Sequence, residues 1–223
     1  MMRLLVSARN AGEALAAAGA GADIIDLKDP AAGALGALPL ELIAAVVGEL
    51  RGRHPAIPVS ATTGDCPAGQ PAPILARVRG VAACGVDYVK VGVEPGPAGV
   101  ALLNALAASG APVVPVLIAD RGVDPALLAA ALALDAFPAL MLDLADKRGG
   151  SLLERLPAGE LRRFLDAVQR SGRLAGLAGA LRAVDMPQLR ALAPDVAGFR
   201  SAVCRGDRAA ALDASLVRRL VES

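Results

Sequence analysis

The stretch Ala22-Asp23-Ile24-Ile25-Asp26-Leu27-Lys28-Asp29-Pro30 decides how the rest of the chain is read. Ile24 and Ile25 open a short β-branched run, and Pro30 with the Ala-Gly segment after it closes the run, which is the pattern of a buried strand entering a loop. Residues two apart on a strand share a face, so Asp26 and Lys28 project together while Leu27 points the other way. A carboxylate and an amine on one face at the end of an apolar strand are costly to desolvate unless they have a use.

The same unit recurs along the chain, always followed by a helical stretch. Strands are predicted over 3–8, 23–28, 59–63, 87–93, 113–119, 139–144, 174–178 and 196–200. Helices are predicted over 11–20, 40–51, 72–84, 99–109, 125–134, 152–171 (in two pieces broken at Pro157), 186–192 and 209–221. Asn10 and Glu13 have the spacing of a capping box at the start of the first helix. Eight alternations of this kind predict an α/β fold with a parallel sheet, closed as a (β/α)8 TIM barrel, in one domain over residues 1–223. The alternative, an open doubly wound sheet, would carry a Gly-x-Gly-x-x-Gly turn after its first strand; Ser7-Ala8-Arg9-Asn10 has no such pattern.

Composition narrows the function. A net charge of +1 gives no global field to attract nucleic acid, and 2% aromatics leave few platforms for stacking bases. Cys66, Cys84 and Cys204 are odd in number and scattered, which argues against a disulfide framework or a zinc site, and no cofactor is called for. The first ten residues have too short an apolar core for a signal peptide. The uncharged run 95–119 is interrupted by Pro97, Asn104, Gly110, Pro112 and Pro115, a poor membrane span. The expectation is a cytoplasmic protein acting on a small molecule, without nucleic-acid or membrane partners; association into a homo-oligomer stays open.

The chain has twenty arginines but only three lysines, Lys28, Lys90 and Lys147. Each falls at or just past the end of a predicted strand, where barrel active sites are built. Tyr88, Lys90 and Gly92 share a face of strand four; Asp143 points inward from strand six, with Lys147 in the loop beyond. Arg cannot give up its proton and Lys can, so lysines retained in an Arg-rich chain suggest sites where a neutral amine is needed. Neighbouring amines lower each other's proton affinity, and a neutral lysine condenses with a carbonyl to an imine. The second amine or a carboxylate then moves the proton. Plainer readings exist: Asp26 and Asp143 as counter-charges, Lys147 as a solvated side chain. On the other half of the barrel, Gly179 and Ala180 after strand seven, and Arg200 and Ser201 after strand eight, are candidates to bind phosphate through backbone amides and a forked charge contact. Tight turns alone would also explain those glycines. Ser7, Arg9 and Ser60 are candidates for a second phosphate.

In combination, residues 21–30, Val59-Ser60-Ala61-Thr62-Thr63-Gly64-Asp65, Asp87-Tyr88-Val89-Lys90-Val91-Gly92, Met141-Leu142-Asp143, Leu177-Ala178-Gly179 and Gly198-Phe199-Arg200 resemble the (5-formylfuran-3-yl)methyl phosphate synthases, over nearly the whole chain. The resemblance implies a (β/α)8 lyase that joins two molecules of glyceraldehyde 3-phosphate into a phosphorylated furan aldehyde, with loss of phosphate and water, towards a methanofuran-type one-carbon cofactor. By motif it implies that Lys28 forms the Schiff base, Lys90 accepts the proton, and Asp26 and Lys147 assist; Asp143 is added from its place on the strand. The chain departs from the archaeal pattern where Ala180 replaces Ser, where Ser201 replaces Gly, and where the segment around 204–207 is one Gly shorter. A Schiff-base aldolase of another phosphosugar and a non-catalytic phosphosugar-binding barrel are the alternatives.

Overall fold

The apolar runs form eight strands: β1 (Arg3–Ala8), β2 (Ile24–Leu27), β3 (Val59–Thr62), β4 (Tyr88–Val93), β5 (Val113–Ile118), β6 (Ala139–Asp143), β7 (Leu174–Leu177) and β8 (Val196–Phe199). Every neighbouring pair is parallel, and β1 pairs with β8, so the sheet closes into a barrel. This is a computed structural model that describes residues 2–65 and 69–223. Cys66 lies outside the described residues.

Nine helices among the described residues surround the barrel: α1 (Ala11–Gly19), α2 (Leu40–Arg53), α3 (Pro71–Ala83), α4 (Pro97–Ala107), α5 (Pro125–Leu132), α6 (Leu152–Arg155), α7 (Ala158–Arg170), α8 (Met186–Leu192) and α9 (Ala214–Glu222). None of them is long and apolar enough to cross a membrane. The break at Pro157 separates α6 from α7, as the sequence suggests. Helix α9 starts later than the predicted 209, because the Asp207 carboxylate takes the amides of Ala209 and Ala210 into a turn and Asp213 caps α9 at Ser215.

Both faces of a closed parallel sheet are covered, which is why the strands read as continuous apolar runs. Outward residues such as Val6, Ile25, Leu27, Val59, Val89 and Leu140 pack against Ile43, Leu50, Val78 and Leu103 of the helices. Inward residues Leu5, Ile24, Val114, Val116, Met141 and Val196 fill the barrel. Leu35, from the loop after β2, joins this interior cluster at 1% exposure. Burial of one such side chain contributes about 1.5–3 kcal/mol. Gly92 makes room for it, since a Cβ there would stand 2.7 Å from Leu35 Cδ1. The loop is held down at Leu35 N, which donates to Asp65 Oδ1 (3.0 Å), and at Gly36 O, which accepts from Thr62 Oγ1 (2.8 Å). The segment between β2 and α2 therefore folds over the C-terminal mouth of the barrel.

Candidate active site

Strand register builds the floor of the site. Ser7 on β1 stands beside Asp26 on β2, and Asp26 stands beside Ser60 on β3. Both hydroxyls donate to the Asp26 carboxylate, Ser60 Oγ at 2.7 Å and Ser7 Oγ at 3.1 Å. Lys90, one step further along β4, reaches across so that its Nζ lies 3.1 Å from Asp26 Oδ1. Burial by itself would raise the Asp26 pKa; Lys90 and then Lys28, with the hydrogen bonds from Ser60 and Lys90, outweigh it and hold the carboxyl below its usual range.

Lys28 follows the end of β2 and is 7% exposed. Its Nζ has a long contact, 3.4 Å, to the carbonyl of Ala34 in the overlying loop. Burial is the main reason its pKa falls to about 8, because a protonated amine loses hydration there. Asp143 and Asp26 oppose the fall, while Lys147 and Lys90 add to it. Desolvation, not the neighbouring amines that the sequence points to, is thus the first cause. Asp143, at the end of β6, accepts from its neighbour Leu144 N (2.7 Å) and is ion-paired with Lys147 Nζ. Lys147 and then Lys28 overcome the burial penalty and lower the Asp143 pKa.

One cavity is lined by Lys28, Lys90, Asp143, Lys147, Gly179, Ala180 and Ser201 together. Gly179 has φ +110°, and a Cβ there would lie 3.2 Å from Asp143 Oδ1 and 3.1 Å from Leu144 Cγ. Ala180 follows at φ 50°, so two successive residues lie in the left-handed region. Among the described residues the amides of Gly179, Ala180, Ser201 and Ala202 have no acceptor within the chain. Backbone N–H groups presented in succession form a concavity suited to an anion.

Four residues expected to contact phosphate have their side-chain donors engaged by other protein groups. Arg200 lines the cavity, but its donors are spent elsewhere: Nε on Arg208 O (2.8 Å), NH1 on Ser7 O (3.0 Å) and Glu13 Oε2 (2.6 Å), NH2 on Ala210 O (2.7 Å) and, more distantly, Glu13 Oε1 (3.4 Å). It is a strut, with no N–H left for a phosphate. Ser7 and Ser60 each have one hydroxyl proton, and Asp26 takes both. Arg9 is likewise paired with Glu13 (2.7 Å).

The sequence spacing predicts Glu13 as half of a capping box. Asn10 Oδ1 does accept from Glu13 N (2.9 Å), but the Glu13 carboxylate bypasses Asn10 for Arg9 N (3.0 Å) and the two guanidiniums. Burial would raise its pKa; Arg200 and Arg9 bring it down to about 2. Arg208, which also lines the cavity, had no signal in the sequence beyond being an arginine in the loop after β8.

The model of the 4-HFC-P synthase family matches residues 4–221. A Methylorubrum extorquens protein, provisionally named (5-formylfuran-3-yl)methyl phosphate synthase, is 42% identical over 99% of this chain and 91% of its own length. The (5-formylfuran-3-yl)methyl phosphate synthases of Methanopyrus kandleri and Methanosarcina mazei are 38% and 34% identical, each over 99% of this chain and 98% of their own. Among solved structures, phosphoribosyl anthranilate isomerase from Thermus thermophilus superposes with TM-score 0.68 at 19% identity, covering 99% of this chain and 97% of that one, which shows the barrel fold alone. With the match running from β1 to α9, and the three lysines at one cavity, the chain belongs to the 4-HFC-P synthase family of enzymes.

Proposed function

We propose that this enzyme joins two molecules of glyceraldehyde 3-phosphate into (5-formylfuran-3-yl)methyl phosphate, with loss of phosphate and water, through an imine on Lys28. The observation that carries the reading is a buried lysine with a pKa lowered to about 8, in one cavity with Lys90, Lys147 and Asp143. Neutral Lys28 adds to the carbonyl of one phosphotriose, and loss of water gives the imine. The carbon beside the imine then gives up a proton and attacks the carbonyl of the second molecule.

Lys90 takes that proton. Asp26, 3.1 Å from its Nζ and itself held by Ser7 and Ser60, positions it. The Lys147–Asp143 pair, in the same cavity as Lys28, handles the protons of the dehydration steps. Ring closure, with elimination of phosphate and water, and hydrolysis of the imine to free Lys28 leave the furan aldehyde. The free amides of Gly179, Ala180 and Ser201 receive one phosphate.

Borohydride reduction in the presence of glyceraldehyde 3-phosphate, followed by peptide mass analysis, tests the reading. A reduced adduct on Lys28 and a new furan absorbance in the unreduced reaction are expected. An adduct on no lysine, or product without furan absorbance, rejects it.

A further inference from the structure

The charged groups around Lys28 are paired almost throughout. Asp26 answers Lys90, Asp143 answers Lys147, and Glu13 answers Arg200. Arg208 is the exception at the cavity wall. It is half-buried, and among the described residues no ion pair includes it. The adjacent Asp207 carboxylate is turned to the amides of Ala209 and Ala210. Among the described residues Arg208 spends a single donor, from NH2 to Gly33 O at 2.9 Å in the loop that covers the mouth. That bond orients the guanidinium and leaves its remaining N–H groups free. Burial lowers its pKa, and Asp143 and Asp65, acting from beyond ion-pair distance, offset that only in part, so an anion within hydrogen-bond reach would complete its environment.

Its position says which anion. Arg208, Lys147 and Ser201 line both the inner cavity with Lys28 and a wider outer mouth of ≈ 930 Å³, whose rim adds Gly33, Ala34 and Arg148. The Gly179–Ala180 amides belong to the inner cavity only. We infer that Arg208 is the specificity-determining residue for a second phosphate group, held at the outer mouth by the forked guanidinium while the first occupies the amides after β7 and β8. The inference rests on the two-phosphotriose reading above. A planar fork suits a phosphate bidentately, and lysine supplies only a point charge.

Calorimetric titration with inorganic phosphate tests the assignment without relying on the imine. The wild-type chain is expected to bind two phosphates and R208Q one. In turnover with glyceraldehyde 3-phosphate, R208Q is expected to raise KM about tenfold or more. Borohydride trapping of unphosphorylated glyceraldehyde on Lys28 is expected to change by less than about twofold. R208K, which keeps the charge and loses the fork, is expected to fall between the two, and serves if R208Q does not fold. Wild-type stoichiometry and affinity in the variants overturn the assignment, as does an equal loss of phosphorylated and unphosphorylated trapping. Failure of trapping in the wild-type enzyme overturns the imine instead, and leaves the phosphate titration to judge Arg208.

Discussion

Lys90 Nζ lies 3.1 Å from Asp26 Oδ1 inside the barrel, with the two side chains 4% and 0% exposed. An ion pair so placed is a poor source of stability, because desolvating two charges offsets most of their attraction. Removing one partner is another matter. Asp26→Asn is expected to cost about 3–5 kcal/mol in urea unfolding, since Lys90 would be left buried and unpaired. Asp26→Leu combined with Lys90→Met is expected to recover most of that while abolishing furan formation. A double variant no more stable than Asp26→Asn would show that the pair holds the barrel together.

Lys28 carries its own pH signature. With a folded pKa near 8 against an ordinary 10.5, the native amine sheds its proton first as pH rises. Imine trapping should therefore increase with pH and level off above about 8. Between about 8 and 10.5 the unfolded state binds more protons than the native state, so stability should rise across that window. Lys28→Met should remove both effects, and Lys28→Arg should be inactive however well it folds. A trapping rate flat from pH 6 to pH 10, sampled at about one-unit steps, contradicts the depressed pKa.

The Glu13–Arg200 strut predicts a sensitivity at acid pH. Glu13 is held at about 2, below its ordinary 4.5, so its stabilising contribution is complete above 4.5 and lost as pH falls towards 2. Glu13→Gln should destabilise by about 3–5 kcal/mol at neutral pH, leaving Arg200 buried without its carboxylate. It should also flatten the acid limb of a denaturation profile. An unchanged acid limb would place the titrating group elsewhere.

Gly179 and Ala180 respond oppositely to side-chain changes. Gly179→Ala forces a Cβ against Asp143 and Leu144 at φ +110°, with an expected loss of about 1–3 kcal/mol and of phosphate affinity. Ala180→Gly relieves a left-handed residue and should stabilise, by up to about 1–2 kcal/mol. Thermal unfolding of both variants checks this; a destabilised Ala180→Gly would mean that the alanine methyl packs usefully.

Most of the barrel was legible because burial on both faces leaves long apolar runs, and Pro, Gly and Asp punctuate them. The capping signal at Asn10 was legible too, since Asn10 acts on an amide three residues away. The role of Glu13 is not legible locally, because its partner Arg200 lies 187 residues along the chain. The start of α9 is not legible either: the apolar run from 209 looks helical, but Asp207 and Asp213 divert the backbone into a turn first.

By itself the sequence determined that the chain is a barrel and which face of each strand Asp26, Lys28, Lys90 and Asp143 occupy. Alternation along a strand is a local property and survives without knowledge of the neighbours. Only the tertiary structure decided what the side-chain tips meet: that Ser7 and Ser60 serve Asp26, that Arg200 is consumed by Glu13, and that Arg208 bonds Gly33 O and, among the described residues, enters no ion pair. The physical reason is reach. A serine's single proton or a guanidinium's five donors go to whichever acceptors closure of the barrel brings within hydrogen-bond distance, and those acceptors come from strands and loops far apart in the chain.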